Sequence, residues 1–272
     1  MAHKTLLLSL NEIHRVPHLI DAARTLATAW GAHVSGLYVV PAVQVYPAAG
    51  YAATPDVYDG NRKHFETHLP KVQASFESAM KADGISFDFR SLEASAPLIG
   101  NEVMVQGRNC DLIIVSATDR DASTGVEYDF VERLVIAAGR PVLVLPARGN
   151  VKLQLDEMII AWDGSREAAR ATFDAMPLLR LAKNVRIVGI DTSARGELQG
   201  ATLAEAIHRH GVTCELTNVT SDGYSAGETL LRAANDHGAG LIVLGAYGHN
   251  RFSEFIFGGV TRHMVRHLDR PI

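Results

Sequence analysis

Cysteine is almost absent from this chain. Cys110 and Cys214 cannot build a disulfide framework and stand in no metal-ligand spacing. Long apolar runs are missing too. Nothing approaches the roughly 18 apolar residues of a membrane-spanning helix. The N-terminal run Leu6-Leu7-Leu8 breaks at Ser9 and Asn11, too soon for the core of a signal peptide. These absences predict a cytoplasmic protein with no membrane partner. There is no block of Lys and Arg, and the formal net charge is −4, so nucleic acid is not an expected partner. The glycine-rich segment near the C-terminus carries no Lys-Ser or Lys-Thr after its glycines, which excludes a Walker A loop. Its spacing and late position exclude the dinucleotide fingerprint.

What the chain does contain is one unit written twice. Its 272 residues, 47% hydrophobic, suffice for two domains with a core each. Thr5-Leu6-Leu7-Leu8-Ser9-Leu10-Asn11 reads as a strand with a polar stop, and Met158-Ile159-Ile160-Ala161-Trp162-Asp163 repeats it. Each precedes an Ala-rich helical stretch, near 17–30 and 166–182, and then a second apolar run, at 34–40 and 185–190. Asp111-Leu112-Ile113-Ile114-Val115 matches Gly240-Leu241-Ile242-Val243-Leu244, and each half reaches Arg-Pro before a last strand, at Arg140-Pro141 and Arg270-Pro271. With 148–150 as a linker, the expected domains are 1–148 and 152–272. Strands alternating with helices imply an α/β fold with parallel sheets. Residues 42–60, rich in Ala, Pro and Tyr, are expected to form a surface loop leading into a helix near 61–82.

Residues 241–261 carry the functional signal. The run Leu241-Ile242-Val243-Leu244 suits a buried parallel strand and stops at Gly245, followed by Gly248. Gly258-Gly259 then opens a helical pattern in which Val260, Met264 and Leu268 recur every four residues. A strand, a glycine loop and a helix start together form a phosphate cradle. Glycine permits close backbone approach, and the unpaired N–H groups of a first helical turn face an anion. This Gly-x2-Gly-x9-Gly spacing resembles the nucleotide-binding signature of the universal stress protein family. Gly259 stands where the family usually has Ser or Thr, and Thr261 matches a common family position.

The resemblance covers the whole chain as a tandem pair. It implies two open parallel-sheet domains of the flavodoxin-like, adenine nucleotide alpha hydrolase-like kind, strand order 3-2-1-4-5, packed as an intramolecular pseudo-dimer. A further homodimer is also compatible with the family. It implies ATP or AMP as ligand, with or without Mg²⁺. Asp163 would lie at the adenosine, backbone at Gly189 and Ile190 along the adenine, and Ala161 is a further nucleotide-binding position. Gly245, Gly248, His249, Gly258, Gly259, Val260 and Thr261 would hold ribose and phosphates. Such a ligand sits at the carboxyl ends of the strands, where strand order reverses.

The first half lacks the cradle. Ser116 and Asp119 stand opposite Gly245 and Gly248, Tyr128 and Asp129 opposite Gly258 and Gly259, Val131 opposite Thr261, and Asn11 opposite Asp163. A carboxylate facing phosphate repels it by roughly 4 kcal/mol at about 4 Å with an effective dielectric near 20. Nucleotide is therefore expected in the second domain only. The lost Ser hydroxyl at Gly259 removes about 1.5–3 kcal/mol, weakening that site without abolishing it.

Other roles compete. Asp163 could be a helix N-cap beside Gly164-Ser165, and Asp191 a turn cap instead of a magnesium ligand. His64 with His68, and His263 with His267, have a spacing compatible with metal, but neither pair has the Glu of a zinc-protease helix, and Arg262 and Arg266 flank the second. No His or acid is placed to activate Ser165. Any hydrolysis should be slow, because no strong general base is visible. The alternative function is an interaction or scaffold protein that binds no nucleotide, or holds another small ligand. An adenylating enzyme of the ATP-pyrophosphatase type would need Ser-Gly-Gly-x-Asp-Ser where this chain reads Trp162-Asp163-Gly164-Ser165.

Overall fold

The computed structural model describes residues 2–42, 55–94, 98–122, 124–246 and 259–272. The chain divides into two compact units, residues 2–152 and 153–272. In the first, strands β1 (Thr5–Ser9), β2 (His33–Val40), β3 (Phe87–Glu93), β4 (Leu112–Ser116) and β5 (Val142–Leu145) form a parallel sheet in the order β3-β2-β1-β4-β5. Helices α1 (Val16–Trp30), α2 (Pro55–Ala82), α3 (Ile99–Gly107) and α4 (Phe130–Ala137) connect the strands. In the second, β6 (Glu157–Ala161), β7 (Asn184–Ile190), β8 (Cys214–Val219) and β9 (Leu241–Val243) form a parallel sheet ordered β8-β7-β6-β9. Its helices are α5 (Arg166–Asp174), α6 (Met176–Leu179), α7 (Ala194–Arg209), α8 (Ala226–Asp236) and α9 (Gly259–Arg266). The fifth position of that sheet begins with the Ile242 N–H donating to Pro271 O at 3.1 Å, the same bond that Ile113 makes to Pro141 O at 3.1 Å ahead of β5.

The repeated Arg-Pro has a matching structural job in each unit. Arg140 Nε donates to Arg108 O at 3.1 Å, and Arg270 Nη1 donates to Ala239 O at 2.8 Å. In both cases a guanidinium satisfies a carbonyl just beyond the helix that precedes the fourth strand of the unit, where carbonyls otherwise lack donors. The apolar runs became strands buried on both faces: Leu6, Leu7 and Leu8 are at most 1% exposed, and so are Met158, Ile159 and Ile160. Side chains of this size contribute about 1.5–3 kcal/mol each on full burial. In the second unit, Ile159, Val188, Leu230, Ala234, Ile242 and Met264 form one core against α8 and α9.

Two helix boundaries differ from expectation. The stretch expected as a loop over 42–60 is already helical from Pro55. Proline is suited to a first helical turn, because its missing N–H has no partner there. The helix expected over 166–182 is split at Ala175 into α5 and α6. Pro177 has no N–H to donate, and its ring crowds the carbonyl four residues back. Among the described residues, no helix is long and apolar enough to cross a membrane.

Candidate functional site

The order of the second sheet reverses between β6 and β9, the place at whose carboxyl ends open sheets of this kind carry a ligand. The Trp162 N–H donates to Val188 O at 2.9 Å, carrying the pairing with β7 one residue beyond β6. The chain then turns through exposed Asp163 and Gly164, the latter at φ +77°. Asp163 is not itself the cap of α5. Its Oδ1 accepts the Ser165 N–H at 2.9 Å, and Ser165 is the N-cap, its Oγ accepting the Ala168 N–H at 3.1 Å. Ser165 is thereby committed to the helix start rather than to nucleophilic chemistry.

On the other side of that reversal, Gly245 leaves β9 directly against that helix start. A Cβ there would stand 2.4 Å from Ala168 N and 2.5 Å from the Glu167 carbonyl carbon. Only glycine lets the chain after β9 approach the first turn of α5 this closely. The same packing sets Gly245 beside the helix that the Asp163 turn opens. Gly259 opens α9; it is exposed, and a Cβ there would meet nothing within 4 Å. Gly248, His249 and Gly258 lie outside the described residues.

The other expected residues divide between backbone lining and core. Ala161, Ile190 and Val260 are partly buried and pack against the core on the α8 and α9 face. Thr261 is 5% exposed, so it sits on the buried side of α9, and its hydroxyl is not presented to solvent as its position in the motif suggests. Gly189 is buried, and a Cβ there would come 2.2 Å from Thr192 Oγ1.

Gly189 also lines a cavity of about 230 Å³, together with Trp162, Thr192, Glu197, Leu216 and Asn218. Its floor is a braced loop. Asn218 Oδ1 accepts the Thr192 N–H at 3.1 Å, and its Nδ2 donates to Glu197 Oε1 at 3.2 Å. Asp191 takes a left-handed conformation, φ +47°, and accepts the Ser221 N–H at 3.0 Å. The Ser221 bonds hold its carboxyl below the usual carboxylate range. Asp191 is thus a turn brace. Sequence reasoning reached Gly189 but missed the other seven lining residues, which come from the end of β6, the β7–α7 connection, the start of α7 and β8. The one available signal was an aromatic residue directly before Asp163.

The Universal stress protein family profile matches residues 156–272. That match spans nearly all of the second unit, residues 153–272. Solved structures share the architecture over the full length. A universal stress protein from Archaeoglobus fulgidus DSM 4304 superposes with a TM-score of 0.71 at 15% identity, covering 98% of this chain and 96% of that one. A putative universal stress protein from Pseudomonas aeruginosa UCBPP-PA14 gives 0.62 at 15% identity, covering 99% and 92%. At these identities the likeness is one of fold. No curated protein sequence matches the chain.

The first unit has the topology of the universal stress protein domain and a different crevice. Asn11, opposite Asp163, is 1% exposed; it donates to Val39 O at 2.7 Å and accepts the Val39 N–H at 3.0 Å, zipping β1 to β2. Ser116, opposite Gly245, is buried and donates to Ala117 O at 3.0 Å. Asp119 does not stand as an unpaired charge. Arg148 Nε donates to it at 2.7 Å and Arg148 Nη2 also reaches Asp121 at 2.6 Å, which holds the Asp119 carboxyl down at about 2. Repulsion by a lone Asp119 is therefore not the relevant effect here; the ion pair screens it. A second carboxylate, Glu12, is enclosed nearby, 3% exposed, accepting from Thr124 Oγ1 at 3.2 Å. Burial pushes its carboxyl up to about 7.

The histidine pairs behave as helix-surface neighbours. His64 and His68 have ring centroids 4.6 Å apart, with His68 Nδ1 on His64 O at 2.8 Å. His263 and His267 stack at 4.3 Å, with His267 Nδ1 on His263 O at 3.0 Å. Among the described residues, no group of three or more His, Cys, Asp or Glu could hold a metal ion. Cys214 is half-buried on β8, and its Sγ lies 3.9 Å from Ala204 O.

Proposed function

We infer that this chain is a stress-response protein that binds one adenine nucleotide, ATP or AMP, in its second unit, with hydrolysis at most slow. The observation that carries this is the packing of Gly245 against the first turn of α5, the helix that the Asp163 turn opens, at a reversal of strand order in a unit that matches the universal stress protein profile. In this reading, adenine lies toward Gly189 and ribose toward Asp163. The phosphates face the loop after Gly245 and the exposed start of α9 at Gly259, with Mg²⁺ as an optional companion.

Calorimetric titration of ATP and AMP, with magnesium, tests it. One nucleotide per chain is expected, and Gly248→Asp should weaken binding at least a hundredfold by placing a carboxylate against phosphate. Unchanged affinity in that variant refutes the site.

Thr261 favours a second reading. With its hydroxyl buried and no hydroxyl at Gly259, the phosphate end of the crevice is poorer than the family motif provides. The crevice then holds another small ligand, or serves a protein contact. An absence of ATP and AMP binding up to millimolar concentration selects this reading.

A further inference from the structure

We propose that the second unit reads the base of its nucleotide through side chains. Trp162 and Leu216 would wall the base cavity, and Glu197 would accept a hydrogen bond from an exocyclic amino group. This rests on the nucleotide reading above and adds the chemistry of base selection to it.

Size is the first argument. A cavity of about 230 Å³ falls below the roughly 300–1,000 Å³ of pockets that enclose a whole drug-sized ligand. It suits one flat ring, leaving sugar and phosphates outside it, toward Asp163 and Gly245. The walls fit a ring as well. Leu216 is 40% exposed, a large apolar side chain presented to solvent on an edge strand. Trp162 offers an indole whose N–H is buried with no hydrogen-bond partner, an unsatisfied donor of the kind that a ligand acceptor relieves.

The polar end is selective in sign. Asn218 spends both ends of its amide on the protein: Oδ1 takes the Thr192 N–H at 3.1 Å, and Nδ2 reaches Thr192 O at 3.4 Å and Glu197 Oε1 at 3.2 Å. It is therefore a positioning residue that orients the Glu197 carboxylate from an anchored loop. An ionised carboxylate is acceptor-only, with about four lone-pair sites. Asn218 uses one of them, which leaves capacity for a donor on the ligand. Adenine presents an amino group; hypoxanthine presents a carbonyl at the same position, whose lone pairs would face those of Glu197. Sites that hydrogen-bond a substrate group discriminate against the analogue lacking it. Glu197 is exposed, so the expected discrimination is about tenfold rather than the extreme values of buried sites.

The test is calorimetric titration of AMP and IMP into the full chain and into its Glu197→Gln variant. The wild-type protein should bind AMP at least tenfold more tightly than IMP. In Glu197→Gln the ratio should fall to threefold or less, because the amide can donate to the IMP carbonyl. A purely structural Glu197 would change both affinities alike and keep the ratio, which overturns the proposal. Equal binding of AMP and IMP by the wild-type protein also overturns it while leaving the nucleotide reading intact. Binding of neither defeats both. For the wall, Trp30→Phe leaves Trp162 as the one indole; AMP should quench its emission, and saturation without any spectral change removes Trp162 from the site.

Discussion

Asn11 and Asp163 hold corresponding places, and their surroundings decide what each can do. Asn11 is enclosed and spends its amide on β2, whereas Asp163 stands exposed and uses one oxygen to brace a turn. The next residue in the first unit, Glu12, carries the larger consequence. Its carboxyl is buried beside Asp119, Arg15 and His14 and keeps its proton up to about 7 instead of the ordinary 4.5. In the unfolded chain the proton leaves near 4.5. Between those values the native state binds more protons than the unfolded one, so this group's contribution falls as pH rises from 4.5 to 7 and is flat above. The total is about 3 kcal/mol. Glu12→Gln keeps the shape and removes the titration. Urea unfolding at pH 5 and pH 8 should show the variant gaining about 2–3 kcal/mol on the wild-type protein at the higher pH. An equal difference at both values would mean that Glu12 ionises normally.

At the scale of elements, most of the fold could be read in advance because each strand is a short apolar run closed by a polar or glycine stop. What could not be read has a physical cause in each case. The start of α2 at Pro55 follows a stretch whose Ala, Pro and Tyr carry no periodicity. The split between α5 and α6 comes from Pro177 acting on a pattern that is otherwise continuous. Gly245 was legible as a glycine but not for its packing role, since Ala168 is far away in sequence. Trp162, Glu197 and Asn218 meet only after β6, β7 and β8 have paired in register, and no local pattern announces that. The helix start at Gly259 was legible, and it gives a prediction. A side chain fits there without contact, so Gly259→Ser restores a hydroxyl at the first turn of α9 at no steric cost. A hydrogen bond to a charged acceptor is worth about 1.5–3 kcal/mol, so AMP should bind about 10- to 100-fold more tightly. Unchanged affinity in a folded variant would put the phosphates elsewhere than α9.

Over the whole molecule, two units of one topology have diverged at the same corner. In the first, buried Glu12 accepts from Thr124, and Asp119 is paired with Arg148. The second leaves Asp163 and Gly259 exposed. Repetition of the sheet is thus no evidence for repetition of the site. Fold stability depends on the buried strands, which both units retain, whereas the proposed site depends on a few loop residues that the first unit does not share. A ligand stabilises only the part it binds, by about 2.7 kcal/mol when present at 100 times its dissociation constant. Hydrogen exchange with saturating AMP should therefore slow amides around 162–165, 189–197 and 259–262 by up to about a hundredfold. Amides at 9–12 and 116–120 should exchange at their unliganded rates. Comparable protection at both places would mean that the first crevice opens to nucleotide in spite of Glu12, and that the asymmetry of sequence is not one of function.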